Sequence, residues 1–452
     1  MIRKLTIAAS ALTLAACTTV GPDHSSPIPS APAQQPFVSA ATSPAFTGDE
    51  PPGQWWSLLG DPVLNSLVED ALARNTDLRV AAANLAQARA VLRETRAGRL
   101  PTTGVSGGAT LANPPGPGGT DLGFDAGIDV GYQLDLFGRI RRATEASRAD
   151  VEAVQAAFDF TRITVAAETT RAYADACSAG RQLGVAQESV RIQEETFDLT
   201  RRLVRGGRGT ALETGQAQAQ LEQTRSQIPT LESLRRTALY RLAVLTGRPP
   251  AEFPQEVAAC AASPDLGRPV PVGSGATLLA RRPDIRAAER ELAAATARIG
   301  VATADLYPQV GLGGSVGGGS GFRFSLGPLI SWSFPNRSVA RARIAQAEAS
   351  AQAALARFDG AWLGALEETE SALTRYAAEL DRVAILRRAR AGSAEAARVA
   401  RLRYRAGREP FQIVLEAERT LSLAEANLAQ AEAQRSDTLV SLFLALGGGW
   451  QT

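Results

Sequence analysis

The sequence predicts a mainly α-helical protein with a membrane β-barrel, made of one structural unit used twice along the chain. Three observations carry that class. Apolar residues alternate with period two in two short segments; proline-free runs of 68 and 69 residues follow those segments; and matched motifs recur 200 and 207 residues apart.

The chain opens with Arg3 and Lys4 before an apolar run from Leu5 to Leu14, which is too short to span a bilayer and reads as an export signal. The run ends in Leu14-Ala15-Ala16-Cys17. Small residues before a cysteine resemble the lipobox of bacterial lipoproteins, in which Cys17 is diacylated and residues 1–16 are removed; a plain signal peptide with a chance cysteine is the alternative. Residues 17–54 hold eight prolines among Ser, Ala and Thr, which predicts an extended, lipid-anchored leash.

The body repeats. Ala73-Arg74-Asn75-Thr76-Asp77-Leu78-Arg79 matches Ala280-Arg281-Arg282-Pro283-Asp284-Ile285-Arg286, while Arg205-Gly206-Gly207-Arg208 matches Arg405-Ala406-Gly407-Arg408. A first unit over 55–247 and a second over 280–447 follow, with a linker at 248–279 and a tail at 448–452. Within the first unit, Phe124 to Leu136 alternates Phe124, Ile128, Val130 and Tyr132 with Asp125, Asp129 and Asp135; in the second, Phe322 to Phe334 alternates Phe324, Leu326, Ile330 and Trp332 with polar or small residues. Each is a strand with one apolar face. Pro101 to Asn113 and Pro308 to Gly318 alternate more weakly and form hairpins with them. Aromatic ends and an apolar face resemble transmembrane barrel strands, with a soluble sandwich as the alternative. Four strands close no barrel, and lipid tolerates no open edge, so a spanning barrel requires several copies of the chain.

The runs Gly138 to Arg205 and Arg337 to Arg405 are rich in Ala, Arg, Glu and Gln, with Val151, Phe158 and Val165 in one heptad row and Leu366, Leu373 and Leu380 in another. As helix each is about 100 Å long. Return segments Thr210 to Gly247 and Pro410 to Gly447 have 38 residues each, and Val414, Leu421 and Leu428 keep a seven-residue spacing. Short segments at 77–98 and 284–304, stacked end to end on the returns, complete four parallel rods per chain.

Composition removes most enzyme classes. Lys4 is the only lysine and His24, in the Pro-rich stretch, the only histidine, so Schiff-base, triad, dyad and His-metal chemistry have nothing to be made from. The formal charge of +2, with basic and acidic residues interspersed, does not indicate a nucleic-acid binder. Asp125, Asp129 and Asp135 read as acids on a wet strand face rather than as catalytic carboxylates. Cys177 and Cys260 read as separate buried thiols, with pairing in an oxidising periplasm left open.

Several segments together carry a family resemblance: Cys17-Thr18-Thr19-Val20-Gly21-Pro22-Asp23, Trp55-Trp56, Leu134-Asp135-Leu136-Phe137-Gly138-Arg139, Leu245-Thr246-Gly247-Arg248-Pro249-Pro250, Arg281-Arg282-Pro283-Asp284-Ile285-Arg286 and Arg403-Tyr404-Arg405-Ala406-Gly407. They cover nearly the whole mature chain, which resembles the TolC-type outer-membrane factor family and, within it, the NodT/OprM-type efflux lipoproteins. The resemblance implies a homotrimer whose twelve strands form one barrel and whose twelve rods form a periplasmic tunnel, lumen about 28 Å by rod spacing. It implies a non-enzymatic exit duct in the outer membrane of a Gram-negative bacterium, lipid-anchored at Cys17 and otherwise without cofactor or metal. Partners are a periplasmic adaptor, an inner-membrane transporter of the RND type and outer-membrane lipid, with no nucleic acid. A type I protein-secretion duct or a structural envelope lipoprotein are the alternatives.

The resemblance also assigns sites. The two helical tips, Gly206, Gly207, Arg208, Gly209 and Thr210 in the first unit and Ala406, Gly407, Arg408, Glu409, Pro410 and Phe411 in the second, would dock on the adaptor, although glycine also ends helices that dock on nothing. The periplasmic gate would lie just after the second tip, with an apolar ring from Ile413 and an acidic ring from Glu416; ordinary coiled-coil positions are the alternative.

Overall fold

The computed structural model describes residues 19–112, 121–262, 264–319, 321–332 and 337–448. Helices dominate: α1 (Pro62–Arg74), α2 (Thr76–Ala97), α3 (Arg139–Arg205), α4 (Ala211–Arg225), α5 (Ile228–Leu245), α6 (Gly275–Arg281), α7 (Pro283–Ala304), α8 (Arg337–Arg405) and α9 (Phe411–Ala445). The strands are β1 (Phe46–Thr47), β2 (Thr102–Ala112), β3 (Asp121–Leu134), β4 (Val270–Pro271), β5 (Gln309–Gly318) and β6 (Arg323–Ser331). No helix among the described residues is long and apolar enough to cross a membrane.

The chain divides into two compact units. The first comprises residues 1–29, 82–157 and 284–362 and holds one sheet, ordered β2-β3-β5-β6 with every neighbour antiparallel. Its register sets Val105 opposite Ile128, Ile128 opposite Val316 and Val316 opposite Phe324. Every apolar row thus falls on one face, as period two requires. Asp125 and Asp129 share the other face, but Asp135 does not: β3 ends at Leu134, and the Asp135 carboxylate accepts from the amides of Ile140 (2.9 Å) and Arg141 (2.8 Å), capping α3. A carboxylate at a helix start satisfies amides that have no partner within the helix.

The Pro-rich segment is not a leash in this unit. The buried Arg142 guanidinium donates to Val20 O (3.1 Å), Gly21 O (3.1 Å) and Asp23 (2.7 Å), and His24 Nε2 lies 2.8 Å from Glu289. Gly21, at φ 91°, crosses Gly300 closely enough that a Cβ on it would sit 2.4 Å from the Gly300 Cα. Residues 30–54 belong to the second unit, where the amides of Val38 and Ser39 donate to Glu370 (2.7 and 2.9 Å) and β1 pairs in parallel with β4. Proline supplied extended backbone; partners on other elements, the buried Arg142 and the half-buried Glu289 and Glu370, turned it into a strap.

The second unit, residues 30–81, 158–283 and 363–452, holds the largest core. Trp55 is fully buried and stacks on Phe443 with ring centroids 4.6 Å apart. Asp61 caps α1 through the amides of Val63 and Leu64 and accepts the Tyr173 hydroxyl with its other oxygen. Arg282 donates to Ala445 O (2.7 Å) and to Glu368 (2.9 Å), fastening the end of α9. The return segment expected as one stretch from Thr210 to Gly247 is broken into α4 and α5 around Gln227, because Pro229, which lacks an N–H, fits only the first turn of a new helix.

A correction concerns the cysteines. Cys177 on α3 and Cys260 form a disulfide, with Cα atoms 4.8 Å apart, rather than two separate thiols. Gly180, one turn along α3, lets the Cys260 segment lie flat on the helix: a Cβ there would stand 2.2 Å from Cys260 O.

Candidate functional site

The sheet of the first unit leaves its apolar face uncovered in the protomer. Val105 is 85% exposed, Phe124 67%, Leu326 83% and Ile330 70%. A soluble chain seldom presents so continuous an apolar face to water, so a lipid or protein surface has to cover it. The sheet is also open, with β2 and β6 each paired on one side only among the described residues.

The two helical tips lie in the second unit and are constructed alike. After α3, Gly207 N–H donates to Val204 O (3.0 Å) and Arg208 N–H to Leu203 O (2.9 Å); after α8, Gly407 N–H donates to Tyr404 O (2.8 Å) and Arg408 N–H to Arg403 O (2.9 Å). This doubly bonded C-cap needs a left-handed residue, and Gly207 (φ 69°) and Gly407 (φ 68°) supply it. Thr210 and Glu213 then cap α4 reciprocally, Glu213 N–H to Thr210 Oγ1 (3.3 Å) and Thr210 N–H to Glu213 Oε2 (2.9 Å). The second turn is held instead by Arg403 against Glu409 at 2.9 Å, with Pro410 ahead of α9. The turns meet: a Cβ on Gly407 would lie 3.2 Å from the Arg208 guanidinium.

Gly206, Gly207, Arg208, Thr210, Ala406, Gly407, Arg408 and Pro410 are exposed, and Gly209 and Glu409 half-buried. Phe411 departs from the tip assignment. It is 1% exposed and packs on Tyr404 with ring centroids 5.7 Å apart, in a cluster with Ala400, Val414 and Leu415. The ring fixes the tip from within and offers nothing to a docking partner in the protomer.

Ile413 and Glu416 sit three residues apart on α9 and therefore share a face; both are exposed. The residue that the sequence reading missed is Glu418, 2% exposed, whose Oε1 accepts from Thr196 Oγ1 at 2.7 Å and stands 4.0 Å from Arg401 Nε. Its other oxygen is buried with no hydrogen-bond partner among the described residues. Burial pushes its carboxyl above the usual range, against the Thr196 hydrogen bond and the charges of Arg401 and Arg405. A signal existed. Glu418, Glu425 and Glu432 repeat every seven residues inside the packing seam of α9, Glu425 paired with Arg390 (2.7 Å) and Glu432 with Arg181 (2.8 Å) and Arg387 (3.1 Å). Cys17 lies outside the described residues.

Residues 67–248 and 276–448 match the family model for outer membrane efflux proteins (OEP). The chain belongs to this family. Nodulation protein T of Rhizobium leguminosarum bv. trifolii is 30% identical over 97% of this chain and 96% of its own. The pyoverdine export outer membrane protein OpmQ of Pseudomonas putida is 31% identical over 99% and 98%. Among solved structures, the outer-membrane channel OprN superposes with a TM-score of 0.89 at 36% identity, covering 96% of this chain and 100% of its own. The family is one of outer-membrane efflux channels, not of enzymes, and the OEP chain here is of the NodT/OprM type.

Proposed function

We propose that this OEP protein is the outer-membrane exit duct of a tripartite efflux pump, a homotrimer that passively conducts small toxic molecules to the exterior. The uncovered apolar face on an open four-stranded sheet carries the reading. Three copies joined edge to edge, β6 of one to β2 of the next, make a twelve-stranded barrel without free edges, which is the only form a sheet can take in lipid. The two repeats of each chain then supply four rods to a twelve-rod tunnel. Conduction needs no cofactor; bore, charge and gate set what passes.

In the same reading the exposed tip residues around Gly207 and Gly407 receive the periplasmic adaptor, which joins the duct to an RND-type inner-membrane transporter. Ile413 and Glu416 narrow the periplasmic mouth. Cys17 carries the lipid that holds the N-terminus in the outer membrane. Drugs and other toxic compounds are the proposed substrates.

The test joins assembly to conduction. Protein extracted from outer membranes in mild detergent should run as a trimer on an unheated gel, collapse to monomer on boiling, and open discrete conductance steps in a planar bilayer. A monomer that leaves the bilayer silent overturns the proposal.

A further inference from the structure

Where α3 and α8 leave the sheet of the first unit, a cavity of about 300 Å3 opens between Arg139, Asp305, Tyr307, Trp332, Arg337 and Arg343. Three guanidinium groups meet one carboxylate there: Asp305 lies 3.6 Å from Arg139 and 3.3 Å from Arg343, leaving two positive charges over. Arg337 is exposed and has no ion pair among the described residues.

This charge runs against the local preference of α8. α8 has no acidic residue in its first turn, where the helix dipole favours one, and opens with Arg337, Arg341 and Arg343; α3 opens with Arg139, Arg141 and Arg142, but there the Asp135 carboxylate caps the first amides. At α3 these charges are met within the fold, by the Asp135 cap and by Asp23 and Glu145 against Arg142; at α8 Arg337 has no such partner among the described residues, and a local rule broken there marks a demand from outside the fold. The demand is for an anion. The aromatic residues say where that anion comes from: Trp332, 48% exposed, continues the parity of Leu326 and Ile330 on the apolar face, and Phe137 stacks on Tyr307 with centroids 4.5 Å apart. Amphipathic rings beside arginines at the rim of an apolar face have the composition of a membrane–water boundary.

We propose that this cavity binds the phosphodiester headgroup of an anionic phospholipid from the leaflet adjoining the helices. The phosphate sits among Arg139, Arg337 and Arg343, while the acyl chains lie along the apolar face past Ile330 and Leu326. A free phosphate satisfies the arginines and leaves that adjoining apolar wall bare, so the lipid is favoured. The inference rests on the reading of the sheet as a membrane barrel.

The experiment reconstitutes the whole protein in bilayers whose brominated chains are attached either to phosphatidylglycerol or to phosphatidylethanolamine, and reads quenching of tryptophan fluorescence, for which Trp332 is the reporter at the sheet. One basic residue near an anionic headgroup contributes about 1 kcal/mol, about fivefold in relative affinity. The wild type should therefore prefer brominated phosphatidylglycerol at least about fivefold, and Arg337→Gln with Arg343→Gln should bring the ratio close to one while quenching by brominated phosphatidylethanolamine stays unchanged. Equal quenching of the wild type by both lipids overturns the site. Loss of the preference on adding inorganic phosphate, at ionic strength held constant with chloride, also overturns it, reassigning the cavity to a soluble anion. Quenching by neither lipid is a different result: it removes the barrel reading, and the site with it.

Discussion

Thr196 Oγ1 on α3 donates to Glu418 Oε1 on α9 at 2.7 Å, deep enough that the carboxylate is 2% exposed. It is the end member of an acidic row whose other members, Glu425 and Glu432, each have an arginine within 3.1 Å. For Glu418 the one ion pair among the described residues is with Arg401, at 4.0 Å, and Arg405 acts only at longer range. The seam of α9 is thus paired along its length and underpaired near the tip.

That asymmetry predicts a pH dependence. Burial raises the Glu418 carboxyl above its unfolded value, so the native state binds the proton more tightly; its contribution is fully present below the ordinary carboxylate pKa of 4.5 and is lost as pH rises through the raised folded value. Glu418→Gln, which keeps the hydrogen-bonding shape without the charge, should remove this dependence and stabilise the tip by on the order of 1 kcal/mol at neutral pH. Amide exchange of residues 411–421 measured across that range checks it. Equal pH slopes in mutant and wild type would show that folding leaves the Glu418 carboxyl unshifted.

How far the sequence carried depends on whether a feature is periodic. The strands were legible because one solvent-like and one apolar neighbour impose period two, and Phe124, Ile128 and Val130 hold it for the length of β3. The ends of α3 and α8 were legible because only glycine adopts the φ that Gly207 and Gly407 show without strain. Contacts between distant residues were not. Nothing within the sequence says that Arg142 closes on Val20 and Asp23, or that Cys177 and Cys260, 83 residues apart, come within 4.8 Å. Asp135 was misread because alternation cannot tell a strand's last polar residue from the cap of the helix behind it. The Glu418, Glu425, Glu432 row was in plain view, but a search for apolar heptads passes over charges that use the same spacing.

The disulfide yields a second prediction. Cross-linking over 83 residues restricts the unfolded chain by about 4–5 kcal/mol at the chain-entropy limit. Cys177→Ala with Cys260→Ala should lower the melting temperature read by circular dichroism at 222 nm. Reductant should lower the wild type to the same point and leave the double mutant where it is. A wild type indifferent to reductant excludes the bond as a stabiliser.

Gly300 gives a third. A Cβ there would lie 2.7 Å from Arg142 Cγ and 2.8 Å from Val20 O, with the Gly21 backbone already against it. Gly300→Val should force the strap of residues 19–29 away at a cost of about 1–3 kcal/mol. Limited proteolysis should then release the N-terminal segment from the mutant well before any cleavage of the wild type. Identical digestion patterns would mean that α7 shifts and the strap stays.

A fourth prediction separates docking from folding at the tips. Gly207→Glu or Gly407→Glu places a bulky acid on a left-handed residue, a strain of about 1–2 kcal/mol confined to one turn, beside the exposed Arg208 and Arg408. Drug resistance in a strain that depends on this duct should fall to the level of a deletion, while the amount of trimer on an unheated gel is unchanged. Full resistance in both mutants leaves these turns without a docking role.

The gate is the last prediction and follows from which residues α9 leaves unused. Val414, Leu415 and Glu418 are buried within the protomer, at 1%, 5% and 2% exposure, whereas Ile413 at 48% and the exposed Glu416 contribute nothing to that packing. In a three-fold assembly with these side chains at the axis, three isoleucines exclude water and three carboxylates repel one another while attracting cations, so the two rings affect ions differently. Ile413→Ser with Glu416→Ala should raise the resting conductance of single channels in a planar bilayer severalfold. Glu416→Ala alone should shift the reversal potential in a salt gradient toward lower cation preference with little gain in conductance. Glu418→Gln serves as the control, because a buried carboxyl outside the pore changes neither reading directly. If both gate variants conduct as the wild type does, the narrowest point lies elsewhere along the rods and Ile413 and Glu416 are ordinary surface positions of a coiled coil.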